Sequence, residues 1–405
     1  MSKAIHGHAR VAIINTANRP WSIIQSDTLK RLFPEITFQE FYFSTGNRAF
    51  QPDGSQLDSA VICCGSLEEL VDRLKMHLPS ALYLRVSPHT RSEGIVTQLR
   101  RIFYDQRIVV EAYDMSCLFR KEALQQATYP EEAALMNALQ GCDTALNECA
   151  ALVLKMGGEG LTELREKAVS SLVIHYPVYL NEGIQPARQT LFPAEGEPRK
   201  ILYAGSASAR EYNGGLGSVP GANLMRYFEC IENHPNLRLT ILNAAHDAQW
   251  EDALPKFLKL VNRFTSPKSK ALGTSYLRSM PFHQLLPFAR QFDIGICCAH
   301  YENDPVEPVT RFSLPNRMTT YLSADLPIVI DSRFEFAADL VYSYGAGAVV
   351  EAGNFMQFES QLNTMDLASA RRGVIRLKRH LADQNLIENR LLRAALLNST
   401  TDSKI

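Results

Sequence analysis

Short apolar runs alternate with amphipathic stretches along most of the chain. In the first half, RVAIIN (10–15), TFQEFYF (37–43), AVICC (60–64), ALYLRVS (81–87), IVVEAY (108–113), TALNEC (144–149) and LVIHYP (172–177) read as strands. Between them, WSIIQSDTLKRLF (21–33) and SLEELVDRLKMHL (66–78) carry helical spacing, and the second opens on a capping box, Ser66 with Glu69. Strands separated by helices of this length predict a parallel sheet with right-handed crossovers. Residues 178–200 break the rhythm with prolines and glycines and read as a linker. The pattern then restarts. KILYAG (200–205), LRLTIL (237–242), DIGICC (293–298), LPIVID (326–331) and GAGAVVE (345–351) read as strands. ANLMRYFECIENH (222–234), DALPKFLKLVNRF (252–264), HQLLPFARQF (283–292) and most of 354–398 carry helical spacing.

The expected architecture is therefore α/β, with two tandem doubly wound, Rossmann-like domains facing each other across a cleft. Its expected parts are an N-terminal domain over 1–178, a linker over 179–200, a second domain over 201–370 and a helix over 371–405. That last helix concentrates basic residues in its first half. One reading lays it on an anionic membrane surface; the other has it close the second domain or cross back to the first, with a solvated basic face.

Composition narrows the functional classes. At 405 residues the chain has room for two or three domains. A net charge of −1 leaves no global field for nucleic acid. No apolar run approaches a membrane span, and MSKAIHGHAR lacks a signal-peptide core, so a cytoplasmic protein is expected, with peripheral membrane attachment through the basic helix as its variant. The eight cysteines include no C-x-x-C pair and read as buried thiols.

Doubly wound sheets bind ligands beyond the carboxyl ends of their strands, so the chemistry is sought just after strands. SASAREYNGGLGSVPG (206–221) follows KILYAG; with Gly205, its backbone N–H groups and Ser206, Ser208, Arg210 and Asn213 could hold a phosphate. It could equally be a surface loop. AHYENDPVEPVTRF (299–312) follows DIGICC and carries Glu302, Asn303 and Glu307. In LPNRMTTYLSADLPIVID (314–331), Pro315 suits the first turn of a helix. Asn316 and Arg317 then stand at its positive end, an arrangement suited to phosphate. In the first half, His89 follows ALYLRVSP and Asp114 follows IVVEAY, both at strand ends and both able to move a proton.

The run DIGICCAHYEND…SLPNRMTTYLSADLPIVIDSRFEFAADLVYSYGAGAVVE resembles the donor-binding half of GT-B glycosyltransferases, above all the large retaining family that uses nucleotide sugars. The match at motif level spans about 293–350. Leu314, Pro315, Asn316, Tyr321, Leu322, Pro327 and Gly347 fit the pattern, and Arg317 stands for its lysine. SYLRSMPFHQLLPFARQFD (275–293) is similar to the preceding segment, and IVVEAYD to the strand end of the acceptor domain. The resemblance implies a metal-independent transferase without cofactor, the nucleotide sugar being a co-substrate. Its acceptor would be a glycan, a lipid-linked glycan or a protein. It implies a donor held by residues 205–213, Arg278, Glu302, Asn303, Glu307, Pro315, Asn316, Arg317 and Thr320, with His89 and Asp114 on the acceptor side. The chain departs from the pattern at Thr320, where a ribose-binding glutamate is usual, and at Asp325, where a glycine is usual. These departures allow a changed donor, or a degenerate protein that binds without catalysis; a nucleotide-sugar epimerase would share the layout.

Overall fold

The computed structural model describes residues 9–16, 20–43, 61–88, 91–112, 114–178, 196–205, 207, 224–243, 254–278, 280, 282–298 and 311–397. The chain divides into two compact units. The first comprises Met1–Tyr179 with Gln384–Ile405, and the second Leu180–Asp383.

Among the described residues, the first unit holds a sheet of seven parallel strands. They are β1 (Ala9–Asn15), β2 (Ile36–Phe43), β3 (Ile62–Cys64), β4 (Ala81–Val86), β5 (Arg107–Ala112), β6 (Ala151–Leu154) and β7 (Leu172–His175), in the order β3-β2-β1-β4-β5-β6-β7. The second unit holds six: β8 (Arg199–Gly205), β9 (Leu237–Asn243), β10 (Ser275–Arg278), β11 (Ile294–Cys297), β12 (Ile328–Asp331) and β13 (Gly347–Val350), in the order β10-β9-β8-β11-β12-β13. Each order reverses once, between β1 and β4 and between β8 and β11. Those are the points where a doubly wound sheet opens a crevice at its carboxyl edge. The central strands are buried on both faces, which is why they read as unbroken apolar runs.

One expected strand is a helix. Residues 144–149 belong to the helix Glu132–Asn147 and the turn after it, and the strand that follows is β6. Leu135, Ala138, Cys142, Ala145 and Leu146 are all buried, a spacing of three and four that puts them on one helical face. The six residues TALNEC were too few to reveal that period. The helical pattern over 354–398 is likewise two helices, Phe355–Thr364 and Leu367–Leu397.

The basic half of the second of these helices is largely spent inside the second unit. Lys378 donates to Asp325 at 2.7 Å with both side chains buried, and Arg371 lies 3.8 Å from the buried Asp293. Arg376 donates to the Tyr344 carbonyl at 2.7 Å, while Arg372 and Arg379 are exposed. Gly373 allows the helix to touch the turn at Gly345, since a Cβ there would stand 1.9 Å from the Gly345 carbonyl oxygen. Among the described residues, no helix is long and apolar enough to cross a membrane.

Candidate functional site

At the switch point of the second sheet, β8 and β11 pair only at Ile201–Ile294 and Leu202–Gly295. Beyond that register their backbone groups need other partners. Tyr321 supplies them. It is fully buried, its hydroxyl accepts from the Ala204 N–H at 3.0 Å, and its one proton is shared between the carbonyls of Leu202 (3.2 Å) and Ile296 (3.1 Å). The ring lies across Gly295, where a Cβ would come within 2.5 Å of it. Burial pushes the phenol well above its usual range, so it stays a neutral donor and acceptor.

Tyr321 belongs to the helix Asn316–Ser323, and its inward side includes Met318 and Leu322. Pro315 stands one position earlier than expected, at the N-cap, with its carbonyl accepting from Met318 N at 2.8 Å. As a proline, that residue makes no side-chain cap. Asn316 is exposed and Arg317 partly exposed. Arg317 lies one turn before Tyr321, so the residue that bridges β8 and β11 also sets where this cation stands. Its guanidinium lies over the Tyr203 ring, 4.9 Å from the centroid, beside the end of β8. At Gly205 an added Cβ would crowd the Tyr203 hydroxyl oxygen at 3.2 Å and touch the Arg317 guanidinium carbon at 3.4 Å. Burial raises the Cys297 thiol to about 12 against the opposing charge of Arg317, so this cysteine is inert.

The other candidates separate. Ser206, Ser208, Arg210, Asn213, Glu302, Asn303, Glu307 and His89 lie outside the described residues. Arg278 is exposed at the end of edge strand β10, in register with Asn243 and two strand spacings, about 10 Å, from β8. Thr320 is buried. Asp325 occupies the left-handed region, with φ 57°, just past the helix end, and its carboxylate is the one that receives Lys378. That backbone geometry accounts for the glycine of the family pattern. Aspartate tolerates the left-handed region better than most residues.

A residue outside the expected set shapes the same edge. Asn243, fully buried at the end of β9, accepts from Ala207 N at 3.0 Å and donates to Ala207 O at 2.7 Å and to the Tyr276 hydroxyl at 3.0 Å. It pins the chain just beyond β8 as a neighbouring strand would. The only sequence signal was a polar residue closing the apolar run LRLTILN.

In the first unit, Asp114 is buried just past β5. Asn15, Arg85 and Glu111 face one another in register across β1, β4 and β5. Arg85 donates through Nε to Glu111 at 2.8 Å and through a terminal nitrogen to Asn15 (2.7 Å) and Ser26 (3.0 Å), and the Tyr83 hydroxyl also reaches Glu111, at 2.8 Å. Lys155, just past β6, completes this buried group. Burial pushes its ammonium down to about 8, while Glu111 and Asp114 pull the other way. Another buried carboxylate, Glu93, accepts from Ser116 N at 2.8 Å, from the Ser116 hydroxyl, from Tyr129 (3.2 Å) and from the Cys142 thiol (3.2 Å). Its role is to tie helices together. Among the described residues, no three His, Cys, Asp or Glu side chains group as a metal site.

No protein-family profile matches the sequence, and no curated protein matches it either. The fold does resemble solved structures. HepE of Anabaena, in complex with UDP and glucose, matches with TM-score 0.61 and 11% identity, over 97% of this chain and 100% of that one. An E. coli structure described as trehalose-6-phosphate bound with UDP-2-fluoro glucose matches with TM-score 0.60 and 12% identity, over 96% and 99%. The lipopolysaccharide outer core galactosyltransferase WaaB matches with TM-score 0.52 and 10% identity, over 96% and 99%. At such identities the likeness is one of fold, and with its two Rossmann-like sheets the chain has the fold of the GT-B glycosyltransferases.

Proposed function

We propose that the protein is a glycosyltransferase that moves a sugar from an activated nucleotide donor to a glycan, lipid-linked or protein acceptor. The observation that carries this is Arg317, held over Tyr203 beside the end of β8, at the crevice where the second sheet reverses. Such a crevice is where a doubly wound sheet takes a nucleotide. A guanidinium beside a helix N-terminus offers several donors to a phosphate. The same groups would stabilise the charge that gathers on the leaving phosphate as the glycosidic bond breaks. Asp114 and His89 are the proposed acceptor-side groups, with Asp114 accepting a hydrogen bond from the attacking hydroxyl. Ribose would be held by Glu302 or Glu307, because Thr320 is buried and offers one short hydroxyl. UDP is the first nucleotide to try, since HepE and the E. coli structure were solved with UDP or a UDP sugar.

The reading of a degenerate binding protein rested partly on Asp325. Asp325 has a structural account in its left-handed backbone and its pairing with Lys378, so that departure no longer favours lost activity. The test is calorimetric binding of UDP, GDP, ADP, TDP and CMP to the wild type and to Arg317→Ala. One nucleotide should bind selectively, and Arg317→Ala should weaken it by about 1.5–3 kcal/mol, the worth of a charge-assisted hydrogen bond. Equal affinity in a folded variant removes Arg317 from the site.

A further inference from the structure

We infer that Tyr203 is a positioning residue for the donor's phosphate, its side chain fixing where the Arg317 guanidinium stands at the carboxyl edge of the second sheet. This rests on the proposed reading in which Arg317 meets that phosphate. Tyr203 is itself immobilised. It is fully buried in β8, and its ring meets Phe228 edge to face at 5.1 Å and 70°. Phe228 in turn meets Phe264 at 5.6 Å and 82°. Both phenylalanines are fully buried, so an aromatic row runs from the core of the unit to the guanidinium. Gly205 leaves room beside this pair, because a Cβ at that position would crowd the Tyr203 ring and touch the guanidinium.

The chemistry explains why an arginine stands where the resembled pattern has lysine. A lysine is a point charge on a flexible stem, whereas a guanidinium is a planar fork that can lie flat on a ring and present paired N–H groups along one edge. Contact with an immobile ring restricts its torsions before the ligand arrives, so less freedom is lost when phosphate oxygens dock. Tyr203 therefore acts through Arg317 rather than by touching the ligand.

The test is a double-substitution cycle read by calorimetric binding of UDP, GDP, ADP, TDP and CMP. Tyr203→Leu should weaken binding of the selected nucleotide about three- to tenfold, the range of a partly desolvated cation–ring contact. In the Arg317→Ala background the same substitution should change affinity less than about twofold, because the residue through which it acts is gone. Tyr203→Phe keeps the ring but loses the hydroxyl's hydrogen bond with Arg317, so it should weaken binding less than Tyr203→Leu does. A second measurement needs no core substitution: arginine side-chain NMR of the wild type should show Arg317 with ring-current-shifted, slowly rotating guanidinium protons. A mobile, unshifted Arg317 overturns the inference, as does an undiminished effect of Tyr203→Leu in the Arg317→Ala background. Absence of any nucleotide binding by the wild type overturns the donor reading and this role with it. Binding that Tyr203→Leu leaves unchanged overturns this role alone.

Discussion

Asp325 illustrates how a substitution that looks functional in a motif can be settled by backbone and charge. Its φ of 57° asks for glycine, and the strain an aspartate accepts there is offset by the Lys378 ammonium at 2.7 Å. Replacing it by glycine, the residue of the family pattern, relieves the backbone but strands a buried cation. Asp325→Gly is expected to lower stability by about 3–5 kcal/mol in denaturant unfolding, the cost of breaking a buried pair. Adding Lys378→Met should recover most of that loss, since an apolar side chain leaves nothing unpaired. A double variant no more stable than Asp325→Gly would show that Lys378 is not the partner that matters. The buried Thr320 has no such compensation among the described contacts, and it remains the departure that bears on the donor.

The helix Asn316–Ser323 and the strands it covers work as one piece, because Tyr321 stands in for hydrogen bonds that β8 and β11 no longer make with each other. Tyr321→Phe takes this partner from a buried N–H and from two carbonyls and should cost about 1–3 kcal/mol. Gly295→Ala drives a methyl into the Tyr321 ring and should cost about as much. Both are read by thermal unfolding, and loss of Arg317 placement would appear as weaker nucleotide binding in either. This element was largely legible in the sequence: a proline-led helix, an inward Met318–Tyr321–Leu322 side and an apolar strand are local signals. So were the central strands, whose burial on both faces leaves continuous apolar runs. TALNEC misled because a helix of period 3.6, sampled over six residues, can pass for alternation. The Asn243 clamp was illegible for a different reason. Its partner Ala207 is 36 residues away, and only the folded sheet brings them together.

At the scale of the whole molecule, the first unit is assembled from two distant pieces of chain. Leu392, Ala395 and Leu396 pack into its core with Val11, Ile13, Leu29 and Tyr83. Arg107 of β5 donates to the Ala395 carbonyl at 2.6 Å, Asn385 donates to the Val178 carbonyl at 2.8 Å, and Arg393 pairs with Glu35 at 2.6 Å. Gln384 meets His175 Nδ1 at 2.7 Å, a nitrogen that accepts when the ring proton sits on Nε2. Burial, helped by the charge of Arg165, pushes His175 from 6.5 down to about 4. Between those two values the unfolded chain binds a proton that the folded one refuses. Stability is therefore full above about pH 6.5 and falls as the pH drops toward 4, by on the order of 3 kcal/mol. His175→Gln should flatten that part of a stability–pH curve; an unchanged slope would assign it to other groups. Leu392→Ala should destabilise the first unit by about 2–5 kcal/mol, read as early loss of amide protection in β1, β4 and β5.

That division of the first unit also sets an order of events during synthesis. Chains of several domains ordinarily fold from the N-terminus as they emerge. Here the unit that begins the chain must wait, with the apolar face around Val11, Ile13 and Val109 uncovered, until the residues carrying Leu392 and Leu396 have left the ribosome. The second unit, whose residues form one unbroken stretch, can close earlier. A released chain ending at residue 383 should thus hold a protease-resistant second unit and a first unit still open to chaperones.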